Sequence, residues 1–222
     1  MIQPLRKEDQ GPYQFIFDIA EKQMGFVPNS MKTMAKAPAI LGGFGSLVAS
    51  ILGDPDNITP MKGLRILFKN AKWMAANGKR KDRVPMYLKQ LVAHVSSNAA
   101  GCRYCQAHTI GEAKHRGATE EQLHAVWDFE NSDAFDEKEK SALRFSLAAS
   151  MVPNEVRPEH FEDLKKHFTD EQIIEIGATI SLFGFLNRWN DTFGTTLEAP
   201  AIANAEEYLK KSGWEIGKHA SS

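Results

Sequence analysis

The 222-residue chain has little cysteine: two residues, too few for the disulfide framework of a small secreted scaffold. It also has little net charge. A formal balance of −1 and a pI near 6.7 leave no global basic field for nucleic acid and no acidic tail. No uncharged run is long enough to cross a bilayer, so no membrane partner is expected; the longest, residues 38–53, is broken up by glycine and serine and reads as a buried helix. The opening MIQPLRKEDQG turns polar at its fourth residue, so a secretory signal is not expected and the chain reads as cytoplasmic. Alternating apolar–polar runs of strand length are lacking too, which points away from a sheet.

What the chain has is helical periodicity. Phe15, Ile16, Ile19 and Ala20 form one stripe over residues 12–24, with Gly25 as a stop. The spacing predicts further helices over 31–35, 40–51 and 61–76, then a charged, exposed break at 78–83. After it come helices at 84–99, 102–116, 119–129, 136–151, 158–167, 170–182, 186–194 and 201–212. Thr119, Asp136 and Thr169 stand before acidic first turns and are expected N-caps. The fold is expected to be all-α, a single helical domain over 1–222, with an N-terminal part to about 78 and a core over about 82–195. Sliding the sequence by 85 residues lays QLVAHVSSNAAGCRYC on EIGATISLFGFLNRWN, a faint repeat whose second copy would keep the helical hairpin and lose the thiols.

Both cysteines fall in one phrase, Gly101-Cys102-Arg103-Tyr104-Cys105-Gln106-Ala107-His108. A vicinal dithiol can cycle between dithiol and disulfide, and a nearby histidine can take the proton that leaves a thiolate. Gly101 suits a left-handed cap, so Cys102 is expected to begin a helix, where unpaired N–H groups favour a thiolate. On that helix His108 lies one turn past Cys105 and about 120° from Cys102, which makes it the expected base toward Cys105. Glu112, four residues on, would orient the imidazole. Gln90 and His94 share a face of the preceding helix and are placed to approach the dithiol across the turn.

These residues resemble the active-site signature of the alkylhydroperoxidase D-like, or carboxymuconolactone decarboxylase, family: a glutamate, C-x-x-C twelve residues later, and a histidine four residues after the second cysteine. The phrases GFVPNSMKTMAKAP and FLNRWNDTFGTTLE resemble its peroxidase-related branch, and the likeness spans about residues 11–200. The resemblance implies an all-helical fold assembling into dimers, trimers or hexamers. It also implies that Cys102 and Cys105 are the redox pair, with Cys105 the peroxide-attacking sulfur. Two positions depart from the signature. Gln90 replaces the relay glutamate and cannot exchange a proton, a role His94 would then fill; Thr109 stands where the histidine is expected, with His108 one residue early.

The expected function is thiol-dependent reduction of hydroperoxides, an antioxidant activity regenerated by a dithiol protein reductant, with Cys102, Cys105, His108, His94 and Gln90 as the site. No cofactor is expected, since no phosphate loop, nucleotide fingerprint or further metal-ligand cluster is present. The alternatives are a redox sensor or helical scaffold, a lactone-decarboxylating lyase, a zinc site on Cys102, Cys105 and His108, or two ordinary buried thiols. The aromatic set Phe183, Phe185, Trp189 and Phe193 is expected in the core or at a subunit interface.

Overall fold

A computed structural model of the chain describes residues 3–6, 14–52, 68, 71–72 and 82–221. Most of the expected helix over 61–76, with its flanking glycines and most of the charged break at 78–83, lies outside the described residues; positions 68 and 71–72 are helical. Every regular element described is helical, with no strand among the described residues. The chain divides into two compact units, residues 1–83 and 84–222.

In the first unit, α1 (Gln14–Met24), α2 (Asn29–Met34) and α3 (Pro38–Leu52) surround a small core of Ile16, Phe17, Ala35 and Leu41. Phe17 turns inward on α1 and Ile19 is exposed, so the buried stripe is rotated from the expected one. Gly25 ends α1 in the left-handed region at φ +78°, donating its N–H to the Glu21 carbonyl at 2.8 Å.

The second unit is built on α4 (Met86–Ala99), whose residues 91–97 are all buried. A helix apolar or satisfied all round belongs in the middle of a bundle. It packs against α5 (Arg103–His115), α7 (Glu137–Ser150) and α9 (Asp170–Phe193). The short α6 (Glu120–Ala125) continues as a 3-10 turn over Val126–Asp128, where one long helix is expected from the sequence. α8 (Pro158–Lys165) and α10 (Ala199–Tyr208) complete the set, and α10 lies against α5. Polar groups on α4 find partners across the bundle: Ser146 donates to the Val92 carbonyl at 2.7 Å, and Ser150 to Ser96 at 2.9 Å. Thr119, Asp136 and Thr169 each close a capping box, with Gln122, Glu139 and Gln172; such caps contribute about 1 kcal/mol apiece.

The largest departure from expectation is α9. Residues 170–182 and 186–194 are one 24-residue helix that runs through Gly184 and stops at Gly194, φ +56°. A mid-helix glycine costs about 1 kcal/mol, less than breaking the hydrogen-bond ladder of an established helix. The hairpin expected in the second copy of the repeat is therefore absent, for a reason visible in the pairing. Gly101 makes the turn between α4 and α5 at φ +72°, and the residue facing it in the 85-residue slide is Leu186, which stays helical. The aromatic row on α9 is not core: Phe185, Trp189 and Phe193 are exposed and only Phe183 is half-buried.

Candidate functional site

Cys102 is the N-cap of α5, and its Sγ accepts the Cys105 backbone N–H at 3.4 Å. The chain enters this cap through Gly101, with the Cys102 N–H closing onto the Ser97 carbonyl at 3.1 Å. Both thiols are free and buried, with 1% and 3% of their surfaces exposed. The Cys105 thiol hydrogen-bonds to the Cys102 sulfur. That bond, with the backbone N–H groups of Cys105 and Tyr104, holds the Cys102 thiol below its ordinary range against the opposing effect of burial. The same bond, then burial and the charge on Cys102, push the Cys105 thiol up, while the Asn190 amide, 3.5 Å from its Sγ, pulls it partly back. The cap geometry favours a thiolate on Cys102, whereas the sequence predicts it on Cys105.

His108 does not serve Cys105 in this arrangement. Its ring lies on the exposed side of α5, pairs through Nε2 with Glu198 Oε2 at 2.8 Å and stacks on Tyr104, 4.5 Å between ring centres. Tyr104 donates to the other Glu198 oxygen at 3.2 Å. Among the described residues no hydrogen bond joins His108 to either sulfur. Glu112 pairs with Arg116 at 3.4 Å rather than with His108, the equally spaced neighbour on the other side, whose Nε2 is held by Glu198.

The groups near Cys102 come instead from the end of the chain. Cys102 Sγ, an Asp191 carboxylate oxygen and a His219 ring nitrogen all lie within 4.8 Å of one another. His219 is fully buried, and its Nδ1 is 2.8 Å from the Thr195 carbonyl. A carbonyl only accepts, so Nδ1 carries the proton, and Nε2 faces the site with no hydrogen-bond partner, 3.5 Å from Asp191 Oδ1. Lys218 holds the other Asp191 oxygen at 2.9 Å. Trp214 Nε1 donates to the Arg103 carbonyl at 3.3 Å and ties the C-terminal segment to the start of α5.

His94 and Gln90 sit deeper on α4. His94 is buried, and its Nδ1 is 3.0 Å from Thr109 Oγ1. The Thr109 hydroxyl itself donates to the Cys105 carbonyl at 2.7 Å, so it must accept from the His94 ring. The expected relay histidine thus reaches the dithiol only through the backbone that carries it. Gln90 is half-buried on the same helix, with no side-chain hydrogen bond among the described residues. Desolvation lowers the His94 pKa to about 4. Its folded value lies below the unfolded one near 6.5, so the stability it contributes is complete above that value and is lost as pH falls toward the folded pKa. Wild type is expected to lose about 3 kcal/mol more than His94→Asn between pH 7 and pH 4 in urea unfolding. Equal losses in the two proteins would mean that His94 is not held neutral.

Residues 69–148 match the family model described as the carboxymuconolactone decarboxylase family. A crystal structure of the debrominase Bmp8, a cysteine-to-alanine variant in complex with 2,3,4-tribromopyrrole, is 31% identical to this chain. The match covers 94% of this chain and 97% of that one, with a TM-score of 0.56. The chain belongs to the carboxymuconolactone decarboxylase family. The apo debrominase is 29% identical at the same coverage and TM-score. The protein YdfG of Bacillus subtilis (strain 168) is 20% identical over 130 residues, 58% of this chain and 83% of its own length. YnjA of Escherichia coli (strain K12) is 28% identical over 103 residues, 46% of this chain and 57% of its own. The segment matched to the carboxymuconolactone decarboxylase model holds both cysteines but ends before Asn190, Asp191, Glu198 and His219. Of these four, only Asn190 carried a sequence signal, since the 85-residue slide lays it on Cys105.

Proposed function

We propose that Cys102 and Cys105 form a two-electron dithiol reductant that acts on hydroperoxides, with Cys102 the attacking sulfur and Cys105 the resolving one. The observation that carries this reading is the Cys105 backbone N–H donating at 3.4 Å to a Cys102 sulfur that caps a helix, which favours a thiolate on Cys102 beside the Cys105 thiol. His219, a ring nitrogen of which lies within 4.8 Å of the Cys102 sulfur, is the base on this side of the dithiol, closing on the thiol as the substrate binds. The thiolate attacks the terminal peroxide oxygen; the S–O bond forms as the O–O bond breaks, Cys102 is oxidised to a sulfenic acid, and the departing alkoxide takes the proton from His219 and leaves as alcohol. Cys105 then attacks the sulfenic sulfur, water leaves, and the disulfide forms, with the Asn190 amide placed to stabilise the Cys105 thiolate as it develops. A partner dithiol returns two electrons and becomes a disulfide itself. A homo-oligomer belongs to the same reading, supported by the exposed apolar row of Leu182, Phe185, Trp189 and Phe193 on α9.

The likeness to a debrominase along most of the chain favours a second substrate for the same electrons. There the thiolate would take bromine from an electron-rich bromoarene, the carbon would take a proton, and Cys105 would displace bromide to give the same disulfide. One assay separates the two. Reduced protein with a small dithiol is offered hydrogen peroxide, an organic hydroperoxide, or 2,3,4-tribromopyrrole, following peroxide loss and bromide release. Multiple turnovers of peroxide, lost in Cys102→Ser, are expected. Bromide release without peroxide turnover would move the function to dehalogenation, and neither product from protein with two free thiols would overturn both.

A further inference from the structure

We propose that the reduced protein binds a borderline-soft divalent cation, zinc(II), through Cys102 Sγ, the Asp191 carboxylate and His219 Nε2. This site is independent of what the dithiol reduces. The three donors come from the α5 cap, the end of α9 and the last 3-10 turn, Gly217–His219, and they converge to within 4.8 Å. Zinc bonds of about 2.3 Å to sulfur and 2.0–2.2 Å to nitrogen or oxygen put tetrahedral ligands about 3.3–3.8 Å apart, so closure requires side-chain shifts of about 1 Å.

Two further observations point to a cation there. With its Nδ1 on the Thr195 carbonyl, His219 turns Nε2, buried and without a hydrogen-bond partner, toward a carboxylate oxygen 3.5 Å away. The nitrogen is buried without a hydrogen-bond partner while Asp191 is 43% exposed at its side chain, so a cation between them would satisfy the buried nitrogen and remain open to solvent on the carboxylate side. The supporting shell is also in place: Thr195 fixes the ring and its tautomer, and Lys218 holds the far oxygen of Asp191, leaving the near one turned to the site. Metal-binding histidines and carboxylates are oriented by outer partners of this kind. A thiolate, a carboxylate and an imidazole are the sulfur, oxygen and nitrogen donors zinc takes, and three protein ligands leave a fourth position for water or a small molecule.

Binding displaces the Cys102 proton and forms an S–Zn bond, so Cys102 cannot be a ligand and a nucleophile at once. Conversion to the disulfide removes the thiolate and releases the metal. The site is therefore specific to the reduced state, with zinc masking the sulfur that the cap favours as a thiolate.

The test is zinc titration of chelator-treated, reduced protein against a chromophoric chelator, repeated with cobalt(II) for its thiolate charge-transfer absorption. One equivalent per chain is expected. His219→Gln and Asp191→Asn each weaken it at least about tenfold, the wild-type disulfide form binds more weakly still, and Cys105→Ser retains binding. In unaltered reduced protein, zinc is expected to slow alkylation of Cys102, a measurement that needs no variant to fold. Unchanged binding in His219→Gln would put the metal on the cysteines alone and overturn the site. So would a reduced wild type that binds no better than its disulfide form, which would leave a proton as the cation between His219 and Asp191.

Discussion

Cys105→Ser protein is expected to alkylate fast at neutral pH through its remaining Cys102, and Cys102→Ser protein to react like an ordinary or slower thiol. The difference is expected to be about tenfold or more in rate. The reason is positional. Cys102 is the cap, so its sulfur lies against the free N–H groups of the first turn of α5, one of them 3.4 Å away. Cys105 is within that turn and has one amide contact from Asn190, with burial pushing its thiol up. Serine at 105 keeps an O–H donor for the Cys102 thiolate, so the variant isolates the attacking sulfur without removing its support. Cys102→Ser should also abolish turnover of whichever substrate is used, by at least about a thousandfold, as loss of a nucleophile does. Oxidation of Cys105→Ser should trap Cys102 as a sulfenic acid, seen by mass. Faster alkylation of Cys105 in the matched pair would restore the order implied by the family resemblance and make Asn190 the activating group.

The largest expected loss of stability is at Glu175, far from the sulfurs. Its carboxylate is 4% exposed, accepts the Val84 N–H at 3.0 Å and pairs with the 15%-exposed Lys89 at 2.9 Å. It clamps the start of α4 to α9. Alanine here leaves a largely buried ammonium without its counter-charge and a backbone donor without an acceptor, a combination that costs about 3–5 kcal/mol. Thermal unfolding should fall by roughly 10 °C or more. Glu175→Gln keeps an acceptor for Val84 and removes only the charge, so it should sit between the two. A drop of under about 1 kcal/mol for alanine would show that Lys89 reaches solvent without penalty.

What was legible in the sequence was local. Thr119, Asp136 and Thr169 announce their helices because a cap and its partner lie within one turn, and Gly101 announces the entry to α5 for the same reason. The break expected between 182 and 186 does not form, since composition does not reveal whether a glycine takes a positive φ and Gly184 stays helical. The dithiol was legible as a motif, and membership of its family followed from it. Its surroundings were not. His108 has the right spacing, but Glu198 arrives from the loop before α10 and engages it, and nothing near position 108 foretells that. Asp191 and His219 meet Cys102 only because α9 runs straight and the segment after it folds back, which depends on the tertiary arrangement rather than on spacing.

The return of residues 195–219 to the cap of α5 sets an order on biosynthesis. The ribosome makes Cys102 and Cys105 long before His219, so the nascent chain carries the two thiols without the imidazole and carboxylate that later enclose them. Until that segment docks, the pair has ordinary thiol chemistry, without the carboxylate and imidazole beside Cys102. Newly made and mature molecules should thus differ in how their cysteines are labelled, with the difference disappearing once residues 195–219 close onto the α5 cap.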